Sequence, residues 1–166
     1  MTFGEMNRSH SKLSAPPNGI VSSQRAKSWV GKTWFDLLSQ YGASHGKRVA
    51  KGRSLGRGRV CSLWFSPGFA DAEVHDREVE RATLRVTSFT EGQWDTILDV
   101  LISDLRHLAH LIQGQLTEGL NDALLKQGIS LMPGIHELDG DCTCGDFDIP
   151  CAHLCAVHTV LADAID

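Results

Sequence analysis

The sequence predicts an α+β fold in which a short antiparallel β-meander packs with helices and a small ββα unit follows near the C-terminus. Three observations lead to this prediction. Runs rich in β-branched and aromatic residues follow one another between residues 59 and 89, separated by turn signals. Apolar residues recur at helical spacing on both sides of these runs. Four of the five cysteines then lie between residues 142 and 155.

The N-terminal part of the chain divides into three predicted segments. Residues 1–27 are rich in Ser, Pro, Asn and Gly and lack periodicity, which predicts a flexible tail. A helix is predicted after Ser28, a suitable N-cap, because apolar residues from Val30 to Tyr41 recur at helical spacing. The basic, glycine-rich stretch over residues 47–59 is predicted to be a loop. This loop belongs to an α+β body over residues 28–133.

The strands and the later helices complete that body. The stretches "RVCSLWFS", "AEVH" and "RATLRVTSF" predict the three strands of the meander. The stretch "EGQWDTILDVLISDLRHLAHLIQGQ" predicts one long helix, with Thr90 and Gln93 as a capping box and an apolar face from Trp94 to Ile112. A second helix is predicted to begin at Thr117 and to end at Gly128.

The strongest chemical signal is a C-x-C-x6-C-x-H pattern, formed by Cys142, Cys144, Cys151 and His153. Three thiols and an imidazole are ligand types that tetrahedral Zn²⁺ prefers. Pro150 predicts the start of a helix running to Ala164, so the last two ligands lie in its first turn. The predicted unit is a ββα zinc knuckle over residues 134–166 that holds one structural zinc ion.

Several alternatives to this ligand set stay open. The cysteines could be reduced structural residues without a metal, or a redox dithiol, although redox dithiols more typically follow a C-x-x-C pattern. Cys155 lies four residues after Cys151 and could replace His153 as a ligand, and His158 is a further substitute. A catalytic zinc is not expected, because catalytic sites keep three protein ligands and an open position.

The four-ligand pattern followed by an apolar helix resembles the SWIM zinc finger. The segments "SWVGKTWFDLL", "KGRSLGRGRV", "GISLMP" and "CTCGDFDIPCAH" come in the order found in bacterial SWIM-finger proteins, over roughly residues 27–166. The resemblance implies the same four ligands. It also implies a Swi/Snf-type helicase-like ATPase as partner, because such ATPases are often encoded beside these proteins. The chain departs from the family at Gly145, where proline is frequent, and at Cys155, where a small apolar residue is usual.

Charge is divided unevenly along the chain. Residues 1–60 contain eleven Lys and Arg but only two acidic residues, whereas the whole chain has a net charge of −4. The predicted loop presents six basic side chains for a nucleic-acid backbone: Lys47, Arg48, Lys51, Arg53, Arg57 and Arg59. Arginine binds phosphate in a bidentate manner, and such contacts give binding without sequence preference. A contact with an acidic protein, or simple solvation of the loop, stays open.

These patterns predict a non-enzymatic zinc-binding accessory protein that binds nucleic acid, a protein partner or both. The sequence contains no P-loop, no dinucleotide-binding fingerprint and no nucleophile–base arrangement, so no small-molecule substrate is expected. It also contains neither an apolar run long enough to span a membrane nor a secretory h-region, which predicts a cytoplasmic protein without a membrane partner. The alternative is a purely protein-binding adaptor with a structural zinc.

Overall fold

The computed structural model describes residues 13–166 and contains a five-stranded antiparallel sheet. Each strand is hydrogen-bonded to the next strand along the chain. The strands are Ile20–Val21 (β1), Arg57–Ser66 (β2), Phe69–His75 (β3), Val79–Val86 (β4) and Leu138–Cys142 (β5). The α+β class and the antiparallel meander predicted from the sequence are therefore confirmed.

Six α-helices surround or extend this sheet in the described part of the chain. They are Trp29–Leu37 (α1), Gly46–Leu55 (α2), Glu91–Ser103 (α3), Leu105–Ile112 (α4), Glu118–Leu125 (α5) and Ala152–Ala164 (α6). The predicted caps are present, since the Ser28 hydroxyl accepts from the Gly31 amide, and Thr90 forms a capping box with Gln93. None of these helices has the length and apolar character that crossing a membrane requires.

Helix α6 lies at the centre of the main core. Every residue from Ala152 to Ala162 is buried, which explains why the helix has almost no polar face. It packs against the apolar side of the sheet, formed by Val60, Val74, Ala82 and Leu84, and against α1 and α2. Strand β5 completes the same sheet. The segment 134–166 therefore shares one core with residues of the predicted body 28–133.

The structure corrects the prediction of a basic loop over residues 47–59. Residues 46–55 form α2, and β2 begins at Arg57. The glycines that suggested a loop instead allow α2 to approach α6 closely. A Cβ atom built on Gly52 would lie 2.3 Å from the Cys155 Cβ, and one on Gly56 would lie 3.1 Å from the Thr159 side chain. The contacts with α6 outweigh the low helix propensity of this stretch.

The N-terminal stretch also differs from its prediction where it is described. Residues 13–27 were expected to belong to a flexible tail, but the Leu13 amide donates to the Asp76 carbonyl at 3.0 Å, and β1 pairs with β2. The Lys27 amide donates to the Asp166 carboxylate at 2.8 Å. These hydrogen bonds tie the stretch to the body. Residues 1–12, the rest of the predicted tail, lie outside the described residues.

A second, smaller core lies between α3 and α5. The predicted long helix is interrupted at Asp104, whose carboxylate accepts from the Arg106 amide at 3.0 Å and caps α4. The buried residues of this core are Ile97, Leu101, Leu120, Leu124 and Ile129. Several other apolar residues of the predicted face, among them Leu98 and Leu105, are exposed.

Candidate metal centre

The four predicted ligands come from the end of a strand, a turn and the start of a helix. Cys142 is the last residue of β5, and Cys144 follows in the turn that contains Gly145, whose φ is +67°. Cys151 is the N-cap of α6, where its Sγ accepts from the Leu154 amide at 3.5 Å. His153 lies in the first turn of that helix. The sheet and the core helix thus fix the ligands from both sides.

The donor atoms of these four residues converge. Their ligand atoms all lie within 4.8 Å of one another, and the Cys142 Sγ is 3.6 Å from the His153 Nδ1. Cys151 and His153 are buried, whereas Cys142 and Cys144 are half-buried. Because three sulfurs and one imidazole nitrogen are ligand types that zinc prefers and four ligands suffice for it, the cluster is placed to hold one zinc ion.

The thiols of the cluster perturb one another. A hydrogen bond from the Cys142 thiol, together with contacts to His153 and the Leu154 amide, lowers the pKa of Cys151 to about 4. The pKa of Cys142 is raised, first by its hydrogen bond to Cys151 and then by burial, and burial raises the pKa of Cys144. One thiolate is therefore favoured at neutral pH, and a divalent cation would compensate the charge of all three.

Comparison with known proteins agrees with this geometry. The SWIM zinc finger model matches residues 125–160, a range that includes all four ligands. This part of the chain is therefore similar to the SWIM zinc finger. A relative from Mycobacterium tuberculosis, Uncharacterized protein Rv2102, is 30% identical over 160 residues, which cover 91% of this chain and 57% of that protein. The chain thus spans little more than half the length of the curated relative it matches. No solved structure matches the chain.

An acidic residue from outside the finger contacts its histidine. Asp76, in the turn after β3, is 4% exposed, and its Oδ2 lies 3.6 Å from the His153 Nε2. The same carboxylate forms an ion pair with Lys51 on α2. Since the Nδ1 of His153 faces the thiols, the Nε2 side is turned toward this carboxylate. At 3.6 Å the two atoms are too far apart for a hydrogen bond, but the negative charge beside Nε2 favours a proton on that nitrogen, which leaves Nδ1 to face the metal.

The two alternative ligands lie in the core. Cys155 is fully buried beside Leu38 and Val49, and burial raises its pKa to about 12. His158 stacks on the Trp34 ring, with ring centroids 4.6 Å apart, and its Nε2 donates to the Trp34 carbonyl at 2.7 Å. Burial lowers the pKa of His158 to about 4. Neither residue belongs to the converging group of donor atoms.

The predicted nucleic-acid residues have different surroundings in the structure. Arg48 pairs with Asp146 and Asp148 of the finger turn, at 3.2 and 2.7 Å, and Lys51 pairs with Asp76. The Arg53 guanidinium lies over the Phe35 ring, 4.6 Å from its centroid. The remaining members of the predicted set are Lys47, Arg57 and Arg59, of which Lys47 and Arg57 are exposed and Arg59 donates to main-chain carbonyls.

Sequence reasoning missed Asp76 as part of the metal centre. The acidic residues closest to the ligands in sequence have other partners, since Asp146 and Asp148 bind Arg48, and Asp141 binds Arg85 at 2.5 Å. Asp76 lies in a turn far from the finger in sequence, and no spacing pattern connects the two. Only the sheet, which pairs β4 with both β3 and β5, brings this turn beside the ligands.

Proposed function

We propose that this protein is a non-enzymatic adaptor, stabilised by its zinc finger, that binds a partner protein through an exposed apolar row on α3 and α4. The row consists of Trp94, Leu98, Ile102 and Leu105, which are 51, 52, 69 and 68% exposed. The first three residues are spaced one helical turn apart, so they line one face of α3. Several large exposed apolar side chains on one helix face mark an interaction site more often than a solvated face.

The charge beside the row favours a particular kind of partner. Glu91, Asp95 and Asp99 are exposed and follow the row along one edge of α3. An amphipathic helix whose apolar face is bordered by Lys or Arg complements this surface in both shape and charge. A second copy of the chain fits less well, because two copies of α3 packed antiparallel would bring their acidic edges together.

The remaining features are consistent with a binding role. Four protein ligands leave no open coordination position on the finger's metal, which supports a structural ion and a non-enzymatic protein without a small-molecule substrate. None of the five cysteines is placed in a disulfide, which is consistent with the reducing cytoplasm as location. By resemblance to bacterial SWIM-finger proteins, a Swi/Snf-type helicase-like ATPase is the first partner to test.

The decisive experiment measures binding of the purified protein to the Swi/Snf-type ATPase of its own host. The variant Leu98→Gln/Ile102→Gln removes two members of the row, and we expect it to bind at least about tenfold more weakly, as buried interface anchors do. Leu125→Gln is the matched control, because Leu125 is 50% exposed on α5, outside the row. Equal binding by the double variant and the wild type would contradict the proposed surface.

Nucleic-acid binding is the second candidate function. Lys47 and Lys51 lie one turn apart on the exposed side of α2, and Arg57 is exposed at the start of β2. Because Arg48 and Lys51 already bind acidic residues, fewer side chains remain for phosphate contacts than the predicted six. Fluorescence anisotropy with a random DNA duplex at ~50 mM salt tests this function.

The variant Lys47→Ala/Arg57→Ala is expected to weaken duplex binding uniformly and to reduce the slope of log K against log salt by about 2. Lys126→Ala, at an exposed position on the end of α5, is the control. Absence of wild-type binding would leave the adaptor as the function.

A further inference from the structure

A second cluster of metal-ligating side chains lies on the outer face of the sheet, away from α6. It consists of Cys61 on β2 and of Glu73 and His75 on β3, and the ligand atoms of these three residues lie within 4.8 Å of one another. We propose that this cluster is a second zinc site, distinct from the finger and going beyond the adaptor role.

The strand register explains why the three side chains meet. Cys61 and Glu73 are directly paired across β2 and β3, so their side chains leave the same face of the sheet. His75 lies two residues after Glu73 and therefore shares that face. The alternating residues Val60 and Val74 point to the opposite face and are fully buried. The core thus holds both strands, and with them the cluster, in a fixed register.

The backbone of β2 is unusual next to the cluster. Ser62, which follows Cys61, has a φ of +56°, in the left-handed region that non-glycine residues rarely adopt. The register between β2 and β3 shifts between Cys61 and Trp64, so the strand contains a bulge there. Bulges of this kind redirect side chains and are frequent beside functional sites, where the surrounding fold maintains the strain.

The neighbouring cations do not occupy the cluster. Arg81, which lies opposite Glu73 in the register of β3 and β4, directs its guanidinium to Asp71 at 3.0 Å, and Arg59 donates to the main-chain carbonyls of Leu13 and His75. Within residues 13–166, no side-chain hydrogen bond or ion pair engages the Glu73 carboxylate or the His75 ring. The Cys61 thiol donates to the Glu73 main-chain carbonyl at 3.5 Å, and loss of the thiol proton on metal binding would free its sulfur, so the three donor groups are available to a common ion.

The donor set fits zinc. A thiolate sulfur, an imidazole nitrogen and a carboxylate oxygen are the three ligand types that Zn²⁺ uses in proteins. In a tetrahedral site, neighbouring ligand atoms lie roughly 3.3 to 3.8 Å apart, so small side-chain rotations suffice to close this cluster around an ion. Glu73 is exposed and the other two residues are half-buried, which leaves the fourth position to water or to a ligand from solution.

Cobalt is the probe that tests this site, because Co²⁺ replaces zinc in such sites and its absorption reports a thiolate ligand. The full-length protein is first loaded with one zinc in the finger and then titrated with Co²⁺, while the bound zinc is measured throughout. We expect one equivalent of cobalt to bind with a sulfur-to-cobalt charge-transfer band and without release of zinc.

Three variants assign the ligands. Cys61→Ser is expected to abolish the charge-transfer band. His75→Gln and Glu73→Gln are expected to lose the equivalent of cobalt that binds beside the zinc of the finger. Glu78→Gln is the matched control, because Glu78 is an exposed carboxylate near the cluster in sequence but outside it. Circular dichroism and retention of one zinc check that each variant is folded with its finger intact. Cobalt that enters only by displacing zinc, or a band that persists in Cys61→Ser, would overturn the proposal.

Discussion

In the half of the molecule built on the sheet, α6 turns every residue from Ala152 to Ala162 to the interior. In the other half, α3 buries Leu101 but leaves the adjacent Ile102 in solvent. In the first half, the sheet, two helices and the metal-ligand group cover an almost entirely apolar helix. The second has a core of five buried side chains and keeps an apolar surface exposed. The comparison separates the part whose stability we expect to depend on zinc from the part that we propose binds a partner.

Removal of the metal is expected to have the largest effect, confined mainly to the first half. Zinc binding contributes about 10–16 kcal/mol in zinc-finger peptides, comparable to the whole stability of a typical domain. Because the ligand Cys151 caps α6, which forms the centre of the core, chelation or Cys151→Ser should remove hydrogen-exchange protection from residues 57–86 and 138–164. Loss limited to residues 142–153 would instead show that the finger unfolds separately.

Acidification should destabilise the first half through His158. Burial lowers the pKa of its ring to about 4, against 6.5 for a solvent-exposed histidine. Between these two values the unfolded chain takes up a proton that the folded chain does not. This contribution is complete above about pH 6.5 and declines as the pH falls toward 4, with a total of about 3 kcal/mol. The difference in unfolding free energy between wild type and His158→Gln, both zinc-loaded, should shrink over this range. If the difference in unfolding free energy between the two proteins does not change with pH, the role assigned to His158 is wrong.

The close approach of α2 to α6 is tested by a single methyl group. A Cβ on Gly52 would meet the Cys155 Cβ at 2.3 Å and the Ala152 carbonyl oxygen at 2.8 Å, so Gly52→Ala should destabilise the protein by about 1–3 kcal/mol. Gly46→Ala, on the same helix with open space around it, should be neutral or stabilising. Denaturant unfolding measures both. Equal effects would mean that the helices separate easily at this point.

Loss of the carboxylate beside His153 should weaken metal binding without unfolding the protein. Asp76→Asn removes the charge that faces the Nε2, and such changes typically reduce zinc affinity 10- to 100-fold, or about 1.4–2.8 kcal/mol. Lys51→Gln breaks the ion pair with Asp76 but leaves the carboxylate in place, and it serves as the control. Competition with a zinc chelator measures the affinity. If both variants lose affinity equally, the ion pair and not the contact with His153 is responsible.

The smallest effect on stability is expected for the apolar row. Leu98→Gln and Ile102→Gln should each change the unfolding free energy by less than about 0.5 kcal/mol, because both side chains are already in solvent. Leu101→Ala, between them in sequence but buried, should cost about 2–5 kcal/mol. Thermal unfolding compares the three variants. A large cost at Ile102 would show that the row contributes to the fold itself.

Most elements of the fold could be predicted from local patterns. The alternating strands, the capping box at Thr90 and the four metal ligands each depend on residues close in sequence, where spacing determines geometry. Helix α2 could not be predicted in this way. Its glycines indicate a loop in isolation, and only the contact between Gly52 and α6 explains their position in a helix.

Local sequence patterns also do not predict which apolar side chains are exposed or which residues distant in sequence are in contact. The apolar periodicity from Trp94 onward indicates an amphipathic helix, but it does not say that only Ile97 and Leu101 find a core to pack against. The break at Asp104 depends on a cap formed with the Arg106 amide. The contact between Asp76 and His153 forms only when the whole sheet is assembled. Likewise, the sequence does not show that Arg48, predicted to bind nucleic acid, forms an ion pair with Asp146 in the finger turn.

The central position of α6 also constrains the order in which the chain can acquire its structure during synthesis. The ribosome produces strands β2 to β4 before the helix that covers them, so their apolar face stays uncovered until residues 152–164 have been made. Contacts such as that between Trp34 and His158 join residues more than 120 positions apart, which is typical of slow folding. Until α6 has been synthesised and the finger has bound zinc, the nascent chain exposes the apolar face of an incomplete sheet, which is a surface that chaperones bind.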